Sequence, residues 1–343
     1  MGYICTLIPE EVIYAAGFLP VRLFGSHQPP TVADTYIPPI FCSYCRDILA
    51  QGLQGKYPYL NGLVHTNSCE KIRSAFESWQ RHIDAVKTFF IWMPQVVNLD
   101  AMEVFLSEVR RFKEQLENDW KVNIGSEELH RAIEVYNENR RLMKQVYELT
   151  KEVPSRISGE ELTSMVLAGQ VMDKAEHSKL VREFLSEVDR READDDEVRV
   201  MIVGHTSGDL QLIELLDSLN GKVVADETCF GIRYFWEDVD QNEDPLKAIS
   251  YRYINRIPCP VKDNDIPRKR IPFIKNLARE YEVQVVLIVS PTFCDPHCYD
   301  NPIIRETLIE QGVKVLEMEE DFPLSMGQLR TRIEATLESV EFA

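Results

Sequence analysis

Three rhythms of apolar and polar positions divide this chain. Over residues 11–93 short apolar runs alternate with amphipathic stretches, which predicts a short helix at 11–16, strands at 21–24, 62–65 and 88–93, and a helix at 70–83. In that last helix Ile72, Phe76, Trp79 and Ile83 recur at spacings of four, three and four, so one face is core. From residue 101 to about 191 strand signals vanish. Apolar residues return every three or four positions instead, as Phe105, Val109, Phe112, Leu116 and Trp120, then Leu129, Ile133, Tyr136 and Met143, which reads as a helical segment. Ser158 with Glu161 three residues later fits a capping box opening a helix that carries Leu162, Met165 and Val166 on one face. The charged run 189–197 reads as an exposed linker.

Beyond it, strand-like runs at 198–203, 222–225, 283–289 and 314–316 are separated by helical stretches, the rhythm of a parallel, doubly wound sheet. The expectation is an α/β protein with two Rossmann-like, parallel-sheet domains, at 1–98 and 197–343, and a helical segment with its linker at 99–196. Ligands of such sheets sit beyond the strand C-termini. The segment Val203-Gly204-His205-Thr206-Ser207-Gly208 leaves a strand for a helix, a place where backbone N–H groups hold anions. It lacks the Walker A lysine and the GxGxxG pattern, so a plain tight turn is the stronger reading.

A length of 343 residues implies two or three domains. No apolar run approaches the ~18 residues that span a bilayer, so no membrane association is expected. The first residues lack the basic flank and cleavage site of a secretory signal, which predicts a cytoplasmic protein with reduced thiols. A net charge of −18 with no local Lys/Arg cluster argues against nucleic acid as a partner.

The eight cysteines then need an account. Seven are expected in loops: Cys42 and Cys45 after Pro38-Pro39, Cys69 opening the 70–83 helix, Cys229 after a strand, Cys259, and Cys294 with Cys298. A structural cysteine behaves as a small hydrophobe and prefers element interiors. Pro296 biases Asp295 away from helix, so Cys294 and Cys298 are expected on a bent loop. Converging thiolates suit iron–sulfur clusters, which are soft, thiophilic centres. The rival readings are a scatter of unrelated thiols, a four-thiolate structural zinc, and a redox Cys42–Cys45 pair. His27, His65 and His297 flank the cysteine segments as hydrogen-bond or proton donors, or as structural histidines. Arg233 is a candidate to offset cluster charge, or a surface ion pair, and Glu70 and Asp295 flank expected ligands.

Several motifs extend the picture: Phe41-Cys42-Ser43-Tyr44, Thr66-Asn67-Ser68-Cys69-Glu70, and Asp226-Glu227-Thr228-Cys229-Phe230-Gly231-Ile232-Arg233-Tyr234-Phe235. Arg252-Tyr253-Ile254 with Pro258-Cys259-Pro260, Phe293-Cys294-Asp295-Pro296, Leu316-Glu317-Met318-Glu319 and the closing Gly327-Gln328-Leu329-Arg330 continue them. Over nearly its whole length the chain resembles the subunits of 2-hydroxyacyl-CoA dehydratases and benzoyl-CoA reductases. The resemblance implies that Cys42, Cys69 and Cys294 match three ligands of one [4Fe-4S] cluster with one iron left open. In the family's dehydratases that iron takes the substrate's thioester oxygen, and one-electron reduction drives loss of hydroxide.

The additional thiols Cys45, Cys229, Cys259 and Cys298 depart from a three-cysteine pattern. Two cubanes at three thiolates each need six, and the count resembles the family's double-cubane proteins, whose [8Fe-9S] cluster reduces small molecules. On that analogy Cys42, Cys69 and Cys294 fall to one cubane and Cys45, Cys229 and Cys298 to the other, with Cys259 spare or a replacement and Cys5 an ordinary thiol. The resemblance also implies an anaerobic iron–sulfur oxidoreductase or lyase, fed low-potential electrons by a separate ATP-dependent iron–sulfur activator, and a homodimer or a heterodimer with a related subunit. The competing expectations are a noncatalytic electron-transfer or scaffold subunit with a single [4Fe-4S] cluster, and a zinc protein.

Overall fold

The computed structural model describes residues 1–84, 86–191, 197–205, 209–265 and 267–341, without the side chains of 320 and 341. The first part runs β1 (Gly2–Tyr3), α1 (Glu10–Ala15), β2 (Val21–Arg22), α2 (Ser43–Leu53), β3 (Gly62–Thr66), α3 (Glu70–His82) and β4 (Lys87–Ile91). Helices α4 (Leu99–Trp120), α5 (Ser126–Leu149), α6 (Gly159–Ala168) and α7 (Lys174–Val188) follow. Then come β5 (Val198–Gly204), α8 (Leu210–Ser218), β6 (Gly221–Thr228), α9 (Ile232–Phe235), α10 (Pro245–Asn255), α11 (Arg270–Glu280), β7 (Val285–Pro291), α12 (Asp295–Ile309), β8 (Lys314–Glu320) and α13 (Met326–Glu341).

The strands form two four-stranded parallel sheets, ordered β2-β1-β3-β4 and β6-β5-β7-β8. The expected α/β class with two Rossmann-like sheets is what the chain adopts. Both sheets share one order, second–first–third–fourth, so each reverses direction between its first and third strands. Beyond the strand C-termini at such a reversal the flanking loops part and leave room for ligands. In the second sheet the approach there is close. A Cβ on Gly204, at φ +128°, would stand 2.0 Å from the Val289 carbonyl oxygen, so only glycine lets β5 end against β7.

The intervening helices are shared between the two cores. Phe105, Val109, Phe112 and Leu116 of α4 pack with Val64, Phe89 and Ile91 of the first sheet. Val166 of α6 and Val181 of α7 join Met201 and Val203 of the second. Helix α5 spans both: Leu129 and Ile133 lie in the first core, Met143 and Tyr147 in the second. At 1.5 Å per residue its 24 residues are long enough to be a common spine. The Ser158–Glu161 capping box forms as expected.

Four expectations need correction. The strand at 21–24 shrinks to two residues, and β1 is equally short. Helix α2 is unexpected; eight of its eleven residues are buried, so it shows no polar face for periodicity to detect. Cys45 and Cys298 lie inside α2 and α12 and not in loops. The Cys294–Cys298 segment is the first turn of α12, because a proline in a helix's first turn forfeits no internal hydrogen bond. Residues 206–208 of the 203–208 turn and 192–196 of the 189–197 linker lie outside the described residues.

Candidate metal centre

Cys42, Cys69 and Cys294 are the N-cap residues of α2, α3 and α12. Cys69 and Cys294 come from the turns after β3 and β7, the third strand of each sheet, where the topology reverses. An N-cap side chain faces the unpaired N–H groups and positive end of its helix, which favour an anion such as a thiolate. Cys69 shows this directly, accepting from the Ile72 N–H at 3.4 Å.

Cys42 and Cys45 are buried, with their Sγ atoms 3.3 Å apart. Hydrogen bonding to Cys42 and then Cys69, with burial, pushes the Cys45 thiol well above the ordinary range. Donation from Cys45 lowers Cys69, helped by the Ile72 and Lys71 N–H groups and the Lys71 charge, against the effect of burial. Burial raises Cys294, and Cys42, Cys69 and Cys229 are the thiols acting on it. The fold thus groups Cys42, Cys45, Cys69 and Cys294. Lys71 ties the group across the two sheets, donating to the Phe293 carbonyl and to Asp295 Oδ1 at 3.0 Å.

A second set adjoins the first. Cys5 is pushed up to about 11 by burial, then by Cys259, with Cys229 also acting on it. Cys5, which the sequence reads as an ordinary thiol, therefore has thiol neighbours; the strand before it is too short to mark its loop as a sheet terminus. Cys298 is exposed, and desolvation, then Glu319, Asp295 and Glu317, raise its thiol. Among the described residues no three His, Cys, Asp or Glu side chains gather as a single metal ion requires. In a cubane each thiolate takes its own iron, so its ligands stand further apart than those of one zinc.

Arg233 is not at the surface. It is 1% exposed and pairs with buried Glu227 at 3.1 Å. His27 pairs with Asp209 at 3.3 Å and stacks on Phe322. His65 lies between Phe76 and Phe90 with neither ring nitrogen partnered. Arg22 and Lys71 escape sequence reasoning, since no motif marks them, and His205 is marked only as part of the 203–208 turn; the packing brings their side chains toward the cysteine segments. A cleft of about 780 Å³ opens beside Cys69, lined among others by Asn67, Lys71, Trp92, Asp295 and Tyr299.

Burial holds His65 neutral down to about pH 3 and His177 to about pH 4, against an ordinary 6.5. Between 6.5 and 4 the unfolded chain binds protons that the folded chain refuses, so these groups make stability rise with pH there and fall on acidification. Near pH 5 the two together should give a slope of about 2.5 kcal/mol per pH unit. His65→Phe keeps the ring packing and should remove about half of that slope, read from urea denaturation at pH 5 and pH 7.

Relatives of known activity bear on what the thiol group does. The sequence model described as 2-hydroxyglutaryl-CoA dehydratase, D-component, matches residues 5–340. The chain is 28% identical over 335 residues to the (R)-phenyllactyl-CoA dehydratase beta subunit of Clostridium sporogenes, covering 97% of this chain and 89% of that one. It is 26% identical to the lactoyl-CoA dehydratase beta subunit of Anaerotignum propionicum, covering 96% and 88%. It is 24% identical to a benzoyl-CoA reductase subunit of Thauera aromatica, covering 96% and 87%.

Proposed function

This chain belongs to the 2-hydroxyglutaryl-CoA dehydratase D-component family, and from that premise we propose that it is the part of an acyl-CoA dehydratase or reductase that carries an iron–sulfur cluster on Cys42, Cys69 and Cys294. The observation that carries the reading is that these three cysteines cap three helices at the joined ends of both sheets. The donor set fits the cofactor: soft sulfur ligands with positive helix ends behind them. When bound, the cluster supplies a Lewis-acidic iron and a low-potential electron.

The chain's own residues do the rest. The cleft beside Cys69 has the size of a small-molecule site, and its Trp92, Phe76, Phe90 and Tyr299 suit the apolar part of an acyl group. Lys71 holds the Cys69 helix against the Cys294 turn. Lys71→Met should weaken iron retention about 10- to 100-fold, as loss of an outer-shell partner does, measured by iron release to a chelator.

The finer reading is a double cubane, an [8Fe-9S] cluster, in which Cys5, Cys229 and Cys259 supply the second set of thiolates. Cys5 and Cys259 pack against the same core, and Cys259 and Cys229 both act to raise the Cys5 thiol, which supports this set. A component name implies partner components, and we place a homologous or identical chain and a separate ATP-dependent activator among them. Anaerobic purification with iron and sulfide counting tests this. About eight irons per chain, falling by half or more in Cys5→Ser, is expected. Four irons mean a single cubane, and loss in Cys298→Ser but not in Cys5→Ser means the other division of thiols. No iron in the parent ends the cluster reading.

Among the described residues no helix is long and apolar enough to cross a membrane.

A further inference from the structure

Four buried side chains beside the thiols carry nitrogens with no protein partner: Arg22 Nε, Arg233 Nη1, His205 Nδ1 and His297 Nδ1. All four residues are more than nine-tenths buried, at 3%, 1%, 8% and 3% exposure. A buried donor without an acceptor costs about 1–3 kcal/mol, and more when charged, so native packing rarely leaves several together. A histidine Nδ1 is a donor in one of its tautomers.

The two histidines face each other, and Arg22 and His205 both pack on Phe230. The His205 ring stands 6.3 Å from His297, 4.8 Å from Tyr44 and 5.7 Å from Phe230, and the Arg22 guanidinium lies 4.2 Å over Phe230. Tyr44 sits between Cys42 and Cys45, and Phe230 follows Cys229. Arg22 Nη1 donates to the Cys229 carbonyl at 3.1 Å, and His297 lies in the first turn of α12, which Cys294 caps. Arg233 is anchored by Glu227 and by donation to the Gly204 carbonyl at 2.6 Å.

Arg22 is the most telling of the four. Its acceptors are neutral, the Gln170 side chain and a carbonyl, and among the described residues no carboxylate pairs with it. A desolvated guanidinium needs a counter-charge.

We propose that Arg22, Arg233, His205 and His297 form a cradle of donors and positive charge for the anionic cluster on the adjoining thiolates, and that Arg22 raises the cluster's reduction potential. This rests on the iron–sulfur reading above. Positive charge close by favours the reduced, more negative state, and hydrogen bonds to cluster sulfurs act in the same direction.

The test is a redox titration, followed by EPR and visible absorbance, of the anaerobically purified chain and of Arg22→Gln, Arg22→Lys and His205→Phe, with iron content and melting measured alongside. Full iron is expected in each. Arg22→Gln should make reduction at least tenfold less favourable, a midpoint lower by about 59 mV for one electron. Arg22→Lys should restore most of that, and His205→Phe should give a smaller shift of the same sign. Unmoved midpoints with full iron overturn the cradle and leave the cluster reading intact. A parent without iron overturns both. Should Arg22→Gln fail to fold or load iron, His205→Phe decides, and an unmoved midpoint there overturns the proposal.

Discussion

Cys294→Ser is expected to abolish iron retention at its cubane and to lower acyl-CoA dehydratase or reductase activity at least ~100-fold. Losing an outer-shell partner alone costs about 10- to 100-fold, so losing a ligand sets that as the floor. The position explains the size. Cys294 caps α12 at the reversal point of the second sheet, and through Lys71 its turn is held against the Cys69 helix. Serine preserves the cap, since its oxygen is a good N-cap acceptor, so α12 should still form. What disappears is a soft anionic ligand. Iron and sulfide analysis with activity on a 2-hydroxyacyl-CoA, in the presence of a reducing activator, reads the result. Cys298→Ser, one turn further along the same helix and exposed, is the control that should retain activity. Equal iron in Cys294→Ser and the parent would remove Cys294 from the ligand set.

The second large effect is on stability. Glu227 is 0% exposed and receives both Arg233 and Arg270, at 3.1 Å and 2.7 Å, while Arg270 also reaches Asp300 at 2.6 Å. Arg268 pairs with Asp300 and Asp263 at the edge of this network. Glu227→Gln leaves the desolvated Arg233 without a paired carboxylate and Arg270 with Asp300 alone. Breaking a buried pair on one side costs about 3–5 kcal/mol, because the remaining charge stays out of water without its partner. Urea denaturation of the two proteins checks this. Adding Arg233→Met to Glu227→Gln should recover part of the loss, since it removes the stranded charge; no recovery would show that the cost lies in packing. Glu227 lies at the end of β6, two residues before Cys229. The network therefore stabilises the strand end from which a thiol loop departs, and weakening it should also loosen iron.

What can be read from the chain depends on how each element is buried. Helices α3 and α4 bury one face, and their apolar spacing shows it. Helix α2 is buried nearly all round and leaves no such trace. Strands β5 and β7, buried on both faces, appear as continuous apolar runs, whereas two-residue β1 and β2 are too short to carry any pattern. The cysteines divide in the same way. Cys42, Cys69 and Cys294 stand out by motif, but Cys5 does not, because its neighbours Cys229 and Cys259 are more than two hundred residues away in the chain.

The amino-acid sequence by itself determined the α/β class and the two parallel sheets, which follow from periodicity, and the family, which follows from the resemblance of its motifs. Tertiary structure alone decided which thiols meet. It turned Arg233 from a surface candidate into a buried partner of Glu227, and it set Arg22 and His205 beside the cysteines. The reason is physical: periodicity reports only which face of an element leaves water. Which faces then share an interior, and which buried charges find counter-charges there, depends on contacts between residues far apart in the chain.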